Sequence, residues 1–420
     1  MGIVFFIVLT ALSMFTVSCT EPSGKQTMTV ESASFDTTEG LEGLPQPPQV
    51  VRLAVVGDIM MHDYQMKRAY VDSSGTFDFS KVFEYVQPYL DESDLLIGNL
   101  ETVFAGKNKG RDSSVLGYAT YPYFNAPKEY AEQLKMSGFD LLTTANNHSL
   151  DSYPAGVEAT LQLLDSLQIR HVGTYRSEEE RSRLCMVEEN GVTLGFCGYT
   201  YSLNGIREPR ERDYLVNDFV GFDTARIHRM CEEVRSLQHS GADMTLAYVH
   251  CGEEYQKKPN AGQRRVVDSL RAAGCDIVVM IHPHLMQKID FFPANDSLKS
   301  CFVSYSLGNF ISSQVYHEGQ PRDIGGILEL EITKMDGVAR LSKVSFVPTY
   351  SFWRKDRIGL LPVIEAYEHP ERYLPLWKKD NVNLERAYHA TMDVLRGDMD
   401  SSRVFMTDGR YRLDLFPSVP

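Results

Sequence analysis

The sequence contains no Cys-x-x-Cys pair, no internal repeat and, after Gly57, no uncharged apolar run long enough to span a bilayer. Basic residues are in short supply. The 420 residues carry 42 Lys and Arg against 56 Asp and Glu, a formal net charge of −14, which argues against non-specific binding to nucleic acid or to an anionic membrane surface. Nuclease or nucleotidase action is disfavoured on the same ground, together with the lack of a basic groove interleaved with aromatics. The cysteines give no disulfide framework. Beyond Cys19, the residues Cys185, Cys197, Cys231, Cys251, Cys275 and Cys301 mostly sit inside apolar segments and read as buried free thiols. With 43% apolar and 23% charged residues, the composition is that of a globular protein, so disorder, collagen and coiled coil are excluded as the main organisation.

Residues 1–18 carry no charged side chain and include the apolar run from Ile3 to Leu9, the pattern of a secretory signal. Thr16-Val17-Ser18-Cys19, followed by polar residues, resembles a lipoprotein cleavage site. It makes Cys19 a candidate for lipid attachment and implies a cell-envelope protein anchored to a membrane and facing away from the cytoplasm. An ordinary secreted protein and an uncleaved anchor are the alternatives. Residues 19–50, rich in Thr, Ser, Glu, Gly and Pro, have too little apolar area to fold and read as a flexible linker. A main domain is expected over 51–350 and a C-terminal extension over 351–420.

From Arg52 onward, short β-rich runs alternate with segments of helical period. Strands are expected at Leu53–Val56, Leu95–Ile97, Leu141–Thr144, Thr245–Val249, Ile277–Ile281 and Phe302–Tyr305. Helices are expected at Lys81–Leu90, Lys128–Met136, Ala155–Leu167, Asp223–His239 and Gly262–Ala273, with another over Leu384–Leu395. Such alternation predicts βαβ units and an α/β fold with a largely parallel sheet. Asn190-Gly191 is a hairpin signal between Cys185–Glu189 and Val192–Tyr199, and Met335-Asp336-Gly337 separates a second pair, so antiparallel strands are expected as well.

The chemistry falls at strand ends, where ligands collect in α/β sheets. Successive strands run into Asp58 and His62, into Asn99 and Glu101, into Asn147, His148 and Asp151, into His250, Glu253 and Glu254, into His282 and His284, and into Asn309. Each alone reads as a helix cap or a satisfied polar residue. Their recurrence on strand after strand does not. Carboxylate, carboxamide and imidazole donors without a cysteine set suit one or two divalent ions such as Mn²⁺, Fe²⁺ or Zn²⁺. Such an ion lowers the pKa of a bound water and holds an anionic substrate. Glu253 and Glu254 read equally as contacts near the substrate or as exposed loop acids, and Arg207 is a weak candidate for meeting a carboxylate.

The ordered set Gly57-Asp58, Gly98-Asn99-Leu100-Glu101, Ala145-Asn146-Asn147-His148, His250-Cys251-Gly252-Glu253-Glu254-Tyr255, His282-Pro283-His284 and Ser306-Leu307-Gly308-Asn309-Phe310 resembles the CapA family of bacterial capsule or poly-gamma-glutamate synthesis proteins. That family is similar to the calcineurin-like metallophosphoesterases, which implies a four-layer αββα sandwich with mixed sheets and a two-metal centre. The resemblance implies metal ligands at Asp58, Glu101, Asn147, His250, His282 and His284, with Glu101 in the bridging position. It also implies a catalytic His148, with Asp151 three residues on to orient its imidazole. His62, Asn99, Glu253 and Asn309 are candidates for a place beside the substrate or behind the ligands, with a turn role equally open to Asn309. Two departures leave the number of ions open. Ile59 and Met60 follow Asp58 where the phosphoesterase motif has Asp-x-His, and a Glu replaces the bridging Asp. Two functions follow from the resemblance: a metal-dependent hydrolase or transferase acting on an amide or phosphoester of an anionic cell-surface polymer, or a non-catalytic accessory to a membrane synthase and exporter of that polymer.

Overall fold

Leu53-Ala54-Val55-Val56 is apolar at every position, as a strand covered on both faces requires. In the computed structural model it forms the middle of β1 (Gln49–Ile59), buried from Leu53 onward. The structure describes residues 47–415 apart from 356, 374 and 398–402. The expected signal, Cys19 and most of the linker lie outside the described residues.

After β1 come α1 (Asp63–Ala69), a small hairpin of β2 (Tyr70–Val71) and β3 (Thr76–Phe77), α2 (Gln87–Leu90), β4 (Leu95–Leu100), α3 (Lys128–Met136), β5 (Phe139–Thr143), α4 (Tyr153–Ser166) and β6 (Arg170–Val172). The chain continues through α5 (Glu178–Arg181), β7 (Cys185–Glu189), β8 (Val192–Thr200), α6 (Thr224–His239), β9 (Met244–His250), α7 (Ala261–Ala272), β10 (Ile277–Ile281), β11 (Ile289–Phe292), β12 (Cys301–Ser304) and β13 (Asn309–Ile311). The long hairpin of β14 (Ile324–Met335) and β15 (Val338–Trp353) follows, then β16 (Ile358–Pro362), α8 (Val363–Glu368), α9 (Lys378–Arg396), β17 (Val404–Thr407) and β18 (Arg410–Leu413).

Two mixed sheets result. The first runs β17-β18-β15-β14-β1-β4-β5-β6, with β13 added beside β1 and β16 beside β15; the second runs β11-β12-β10-β9-β8-β7. Their centres are parallel, β1 with β4, β4 with β5, β8 with β9, and β9 with β10, while hairpins add the antiparallel members. Asn190 (φ 50°) with Gly191 (φ 78°), and Asp336 (φ 52°) with Gly337 (φ 77°), turn two of these hairpins. Positive φ at both central residues matches the right-handed twist of the flanking strands.

Alternation within the strands sorts the side chains into layers. Leu53 and Val55 of β1 face Phe196, Leu246, Tyr248 and Val279 of the second sheet in one core. Ala54 and Val56 face outward to a second core with Tyr130 and Leu134 of α3. On the far side, Cys197, Ala247 and Val278 pack under α6 and α7 through Met230, Val234, Val266 and Leu270. The order helix, sheet, sheet, helix is a four-layer sandwich, and each large apolar side chain buried between the sheets contributes about 1.5–3 kcal/mol. Tyr248 of β9 also donates its hydroxyl to the Val56 carbonyl of β1, a hydrogen bond across the sandwich just below the strand ends. Where the second sheet stops, α8 and α9 cover the first with Val363, Ile364, Leu384 and Leu395. The tail beyond residue 350 thereby adds β16, β17 and β18 to the first sheet.

One expected helix is mostly absent. Of Lys81–Leu90, only Gln87–Leu90 is α-helical. Pro88 has no N–H to donate to Glu84 and its ring crowds that carbonyl. The Val82 carbonyl is also taken by the Leu360 amide, 3.1 Å away on β16.

Candidate metal centre

Backbone geometry brings the strand ends together. Gly57 lies so close to the β13 entry that a Cβ there would stand 1.9 Å from the Gly308 carbonyl oxygen. This approach lets Asp58 N–H donate to Gly308 (3.1 Å) and sets Asp58 opposite Asn309. The turn after β5 staples itself. Ser149 Oγ donates to the Thr144 carbonyl (2.7 Å) and accepts from Asn146 N–H (2.9 Å), while the Asn146 side chain accepts from His148 N–H (3.0 Å). His282 (φ 99°) and His284 (φ 54°) both hold left-handed backbone conformations. Such positions cost on the order of 1–3 kcal/mol each and persist where the surroundings fix them.

Asp58, Glu101, Asn147, His148, Asp151, His250, His282 and His284 are all buried. Donor atoms of Glu101, His250 and His282 lie within 4.8 Å of one another, as do those of Asp58, Glu101 and His284, so Glu101 is common to two groups. A third group joins Glu254 to His282 and His284. Glu101 Oε1 is 3.4 Å from His250 Nε2 and 3.9 Å from His284 Nε2. His284 Nδ1 meets Asp58 Oδ2 at 3.1 Å and Asn309 Oδ1 at 3.0 Å. Asn99 donates to Asp58 Oδ1 (2.9 Å) and accepts from Asn146 (3.2 Å), so it lies behind the acid.

The electrostatics of this cluster follow from burial. The Glu101 carboxyl is pushed well above the usual range, first by burial and then by the neighbouring Asp58. Burial drives His250 and His282 well below the ordinary imidazole value, and the other histidines add to the effect. His284 goes the other way. Burial acts to lower it, but the hydrogen bond and charge of Asp58 outweigh that effect.

A divalent ion fits this donor set. Both oxygens of Glu101, both nitrogens of His250, His282 Nδ1 and Asn147 Oδ1 are buried with no hydrogen-bond partner among the described residues. Leaving a buried polar group unpartnered costs about 1–3 kcal/mol, and carboxylate oxygens with neutral imidazole nitrogens are the ligands that a hard-to-borderline cation takes.

His148 and Asp151 form a pair beside the cluster. Nδ1 of His148 is 2.7 Å from Asp151 Oδ2, which also accepts from Phe124 N–H at 2.5 Å, and the Phe124 ring stands edge-on to the imidazole at 4.6 Å. Burial raises the Asp151 carboxyl against the opposing pull of His148.

Other expected residues are placed less centrally. His62 joins none of the acid–histidine groups. Its Nδ1 accepts from Ser313 N–H (3.3 Å), and burial lowers it to about 4. Glu253 is exposed and outside the groups, as is Arg207, whereas Glu254 is exposed but within donor range of two histidines. Tyr201, Arg111 and Arg322 stand around the cluster without having been singled out by any motif, and Tyr255, which closes the His250–Tyr255 motif, had been given no role. For Tyr201 the available signal was its place just past the carboxyl end of β8.

The fold and site define a two-sheet αββα protein with a buried carboxylate–histidine cluster at the strand ends that could hold a metal ion. More particularly, the family described as bacterial capsule synthesis protein PGA_cap matches residues 52–314, and the chain belongs to that family. The capsule biosynthesis protein CapA of Bacillus anthracis is 27% identical over 267 residues, covering 62% of this chain and 60% of that protein. The PGA biosynthesis protein CapA of Bacillus subtilis (strain 168) is 29% identical over 269 residues, covering 63% of this chain and 64% of that protein. The match thus spans less than two thirds of either relative. Among solved structures, the calcineurin-like phosphoesterase YfkN from Bacillus subtilis is 14% identical with a TM-score of 0.40, covering 82% of this chain and 98% of that one. Haemophilus influenzae NAD nucleotidase is 12% identical with a TM-score of 0.41, covering 81% of this chain and 56% of that one.

Proposed function

We propose that the chain serves capsule or poly-gamma-glutamate biosynthesis in the cell envelope as a metal-dependent hydrolase or transferase acting on an amide or phosphoester of an anionic surface polymer. The observation that carries this reading is the set of unpartnered oxygen and nitrogen atoms on Glu101, His250, His282 and Asn147 at one buried point. Family membership and the names of the two CapA relatives support the biosynthetic role. A lipid anchor on Cys19 after removal of residues 1–18 belongs to the same proposal, as does an adjoining membrane synthase. Among the described residues no helix is long and apolar enough to cross a membrane.

Asp58, Glu101, Asn147, His250, His282 and His284 would hold one or two divalent ions, with Glu101 shared. Mn²⁺, Fe²⁺ or Zn²⁺ there would lower the pKa of a bound water and neutralise charge on the scissile group. The chain's own residues do the rest. Asp151 holds His148 by Nδ1, so Nε2 is left to take or give a proton at the reacting oxygen or nitrogen. Phe124 keeps water from one face of that imidazole. Asn99 and Asn309 hold Asp58 and His284 in place.

A second reading, the non-catalytic accessory, is favoured by His62. The residue nearest to completing the first motif spends its Nδ1 on a backbone amide instead of joining an acid–histidine group. Elemental analysis of the wild type and a His282→Ala/His284→Ala variant separates the two. The hydrolase reading requires about one or two equivalents of Mn, Fe or Zn in the wild type and their loss in the variant. A wild type that holds no metal after dialysis against excess Mn²⁺ sinks it.

A further inference from the structure

Acids outnumber bases in this chain, yet two arginines near the centre have no acid in an ion pair among the described residues. Arg111 lies between two tyrosine rings, its guanidinium carbon 4.6 Å from the Tyr123 centroid and 4.2 Å from that of Tyr153. Tyr123 precedes Phe124, which packs on His148, and Tyr153 follows the Asp151-Ser152 turn, so Arg111 borders the His148 side. Arg322 lies 3.5 Å over the Tyr255 ring, itself 5.9 Å from the His284 ring, and the Arg322 carbonyl accepts from Asn309 Nδ2 at 2.8 Å. Arg322 therefore borders the His284 side. Among the described residues its guanidinium hydrogen-bonds to one side chain, the neutral Gln320. The Nε atoms of both arginines are, among the described residues, buried without a partner, as are those of Arg271, Arg386, Arg396 and Arg410, so the Nη pair is the edge left for an anion.

Stacking on ring faces fixes a guanidinium but leaves its in-plane N–H groups free, and that fork matches a carboxylate bidentately. Because the rings already hold the side chains, little conformational freedom is lost when an anion binds. We propose that Arg111 and Arg322 are specificity-determining residues that grip two carboxylates of a polyacidic chain, one on each side of the metal centre, with the intervening linkage over the metal ligands. This rests on the reading of the site as one that acts on an anionic polymer.

The test uses the full-length chain loaded with Mn²⁺, as wild type, Arg111→Gln, Arg322→Gln and the double variant. Each is titrated calorimetrically with a γ-linked glutamate decamer, a neutral γ-linked glutamine decamer and a polyphosphate of equal length, and its metal content is measured. The wild type should bind the glutamate decamer at least about tenfold more tightly than the neutral one, and each single variant should lose about tenfold with metal content unchanged. Arg→Lys variants, which keep the charge without the fork, should recover only part of the loss. Equal affinity in wild type and variants overturns the clamp, as does a wild type that ignores the charge of the decamer. Tighter binding of polyphosphate overturns the assignment to carboxylates, and loss of metal from the single variants would make the arginines supports of the centre instead. If the decamer binds through both arginines but is never turned over, the hydrolase reading fails while the clamp stands.

Discussion

Tyr201 Oη stands 2.9 Å from Nε2 of His282, 81 residues further along the chain, which leaves Nδ1 as the unpartnered nitrogen of that imidazole. His284 is arranged in reverse, with Nδ1 engaged by Asp58 and Asn309 and Nε2 on the Glu101 side. One His-Pro-His turn thus presents opposite ring nitrogens to the centre.

If Tyr201 fixes the tautomer and ring orientation of His282, Tyr201→Phe should weaken metal retention by about tenfold or more. Competition against a chelator measures this. Retention equal to wild type would remove Tyr201 from the support of the site.

Gly57→Ala places a methyl group 1.9 Å from the Gly308 carbonyl oxygen. The β1–β13 contact must open, and a loss of about 3 kcal/mol or more in denaturant unfolding is expected. Wild-type stability in this variant would mean that the two glycines separate at little cost.

Arg386 of α9 reaches both carboxylate oxygens of the nearly buried Asp323 at 2.9 Å. Removing one partner of such a pair strands the other, so Arg386→Ala should cost about 3 kcal/mol. Adding Asp323→Asn should return part of this loss, a coupling above about 1 kcal/mol in a double-mutant cycle. Additive effects would show that the pair contributes nothing as a pair.

Burial raises the Glu233 carboxyl from 4.5 to about 7, against the hydrogen bond from Tyr199 and the charge of Arg181. A carboxyl raised in the folded state favours folding most below 4.5. That contribution is lost as pH climbs through about 7, amounting to no more than about 3 kcal/mol. Glu208 and Glu329, also raised to about 7 by burial, act with the same sign. Stability should therefore fall between pH 5 and pH 8, and Glu233→Gln should make the decline shallower. Urea unfolding across that range decides it, and an unchanged slope in the variant rules Glu233 out.

The parallel core was legible because the middle of β1 (Leu53 to Val56), β9 and β10 are apolar at nearly every position, and the two hairpins because Asn-Gly and Asp-Gly are local signals. The metal-ligating candidates were legible because each sits at the end of such a strand. Arg111 and Arg322 were not, since they owe their places to contacts between distant segments that no local spacing encodes, and Tyr201 carried only its place just past β8, with nothing to tie it to His282. Val82 is a similar case, because the partner that stops its segment from being helical is Leu360. Strands β17 and β18 are short, and among the described residues β17 pairs with β18 and β18 with β15, so their own sequence gives them little periodicity to read.

Asp58 and Glu101 come from one sheet of the sandwich, and His250, His282 and His284 from the other. A cation held between them acts as a rivet across the seam, and only the folded chain can seat it. Folding stability then rises with the logarithm of free ion concentration above the dissociation constant, by about 1.4 kcal/mol for each tenfold. With such an ion bound as proposed, the melting temperature of this protein would in that sense gauge the ion supply around it.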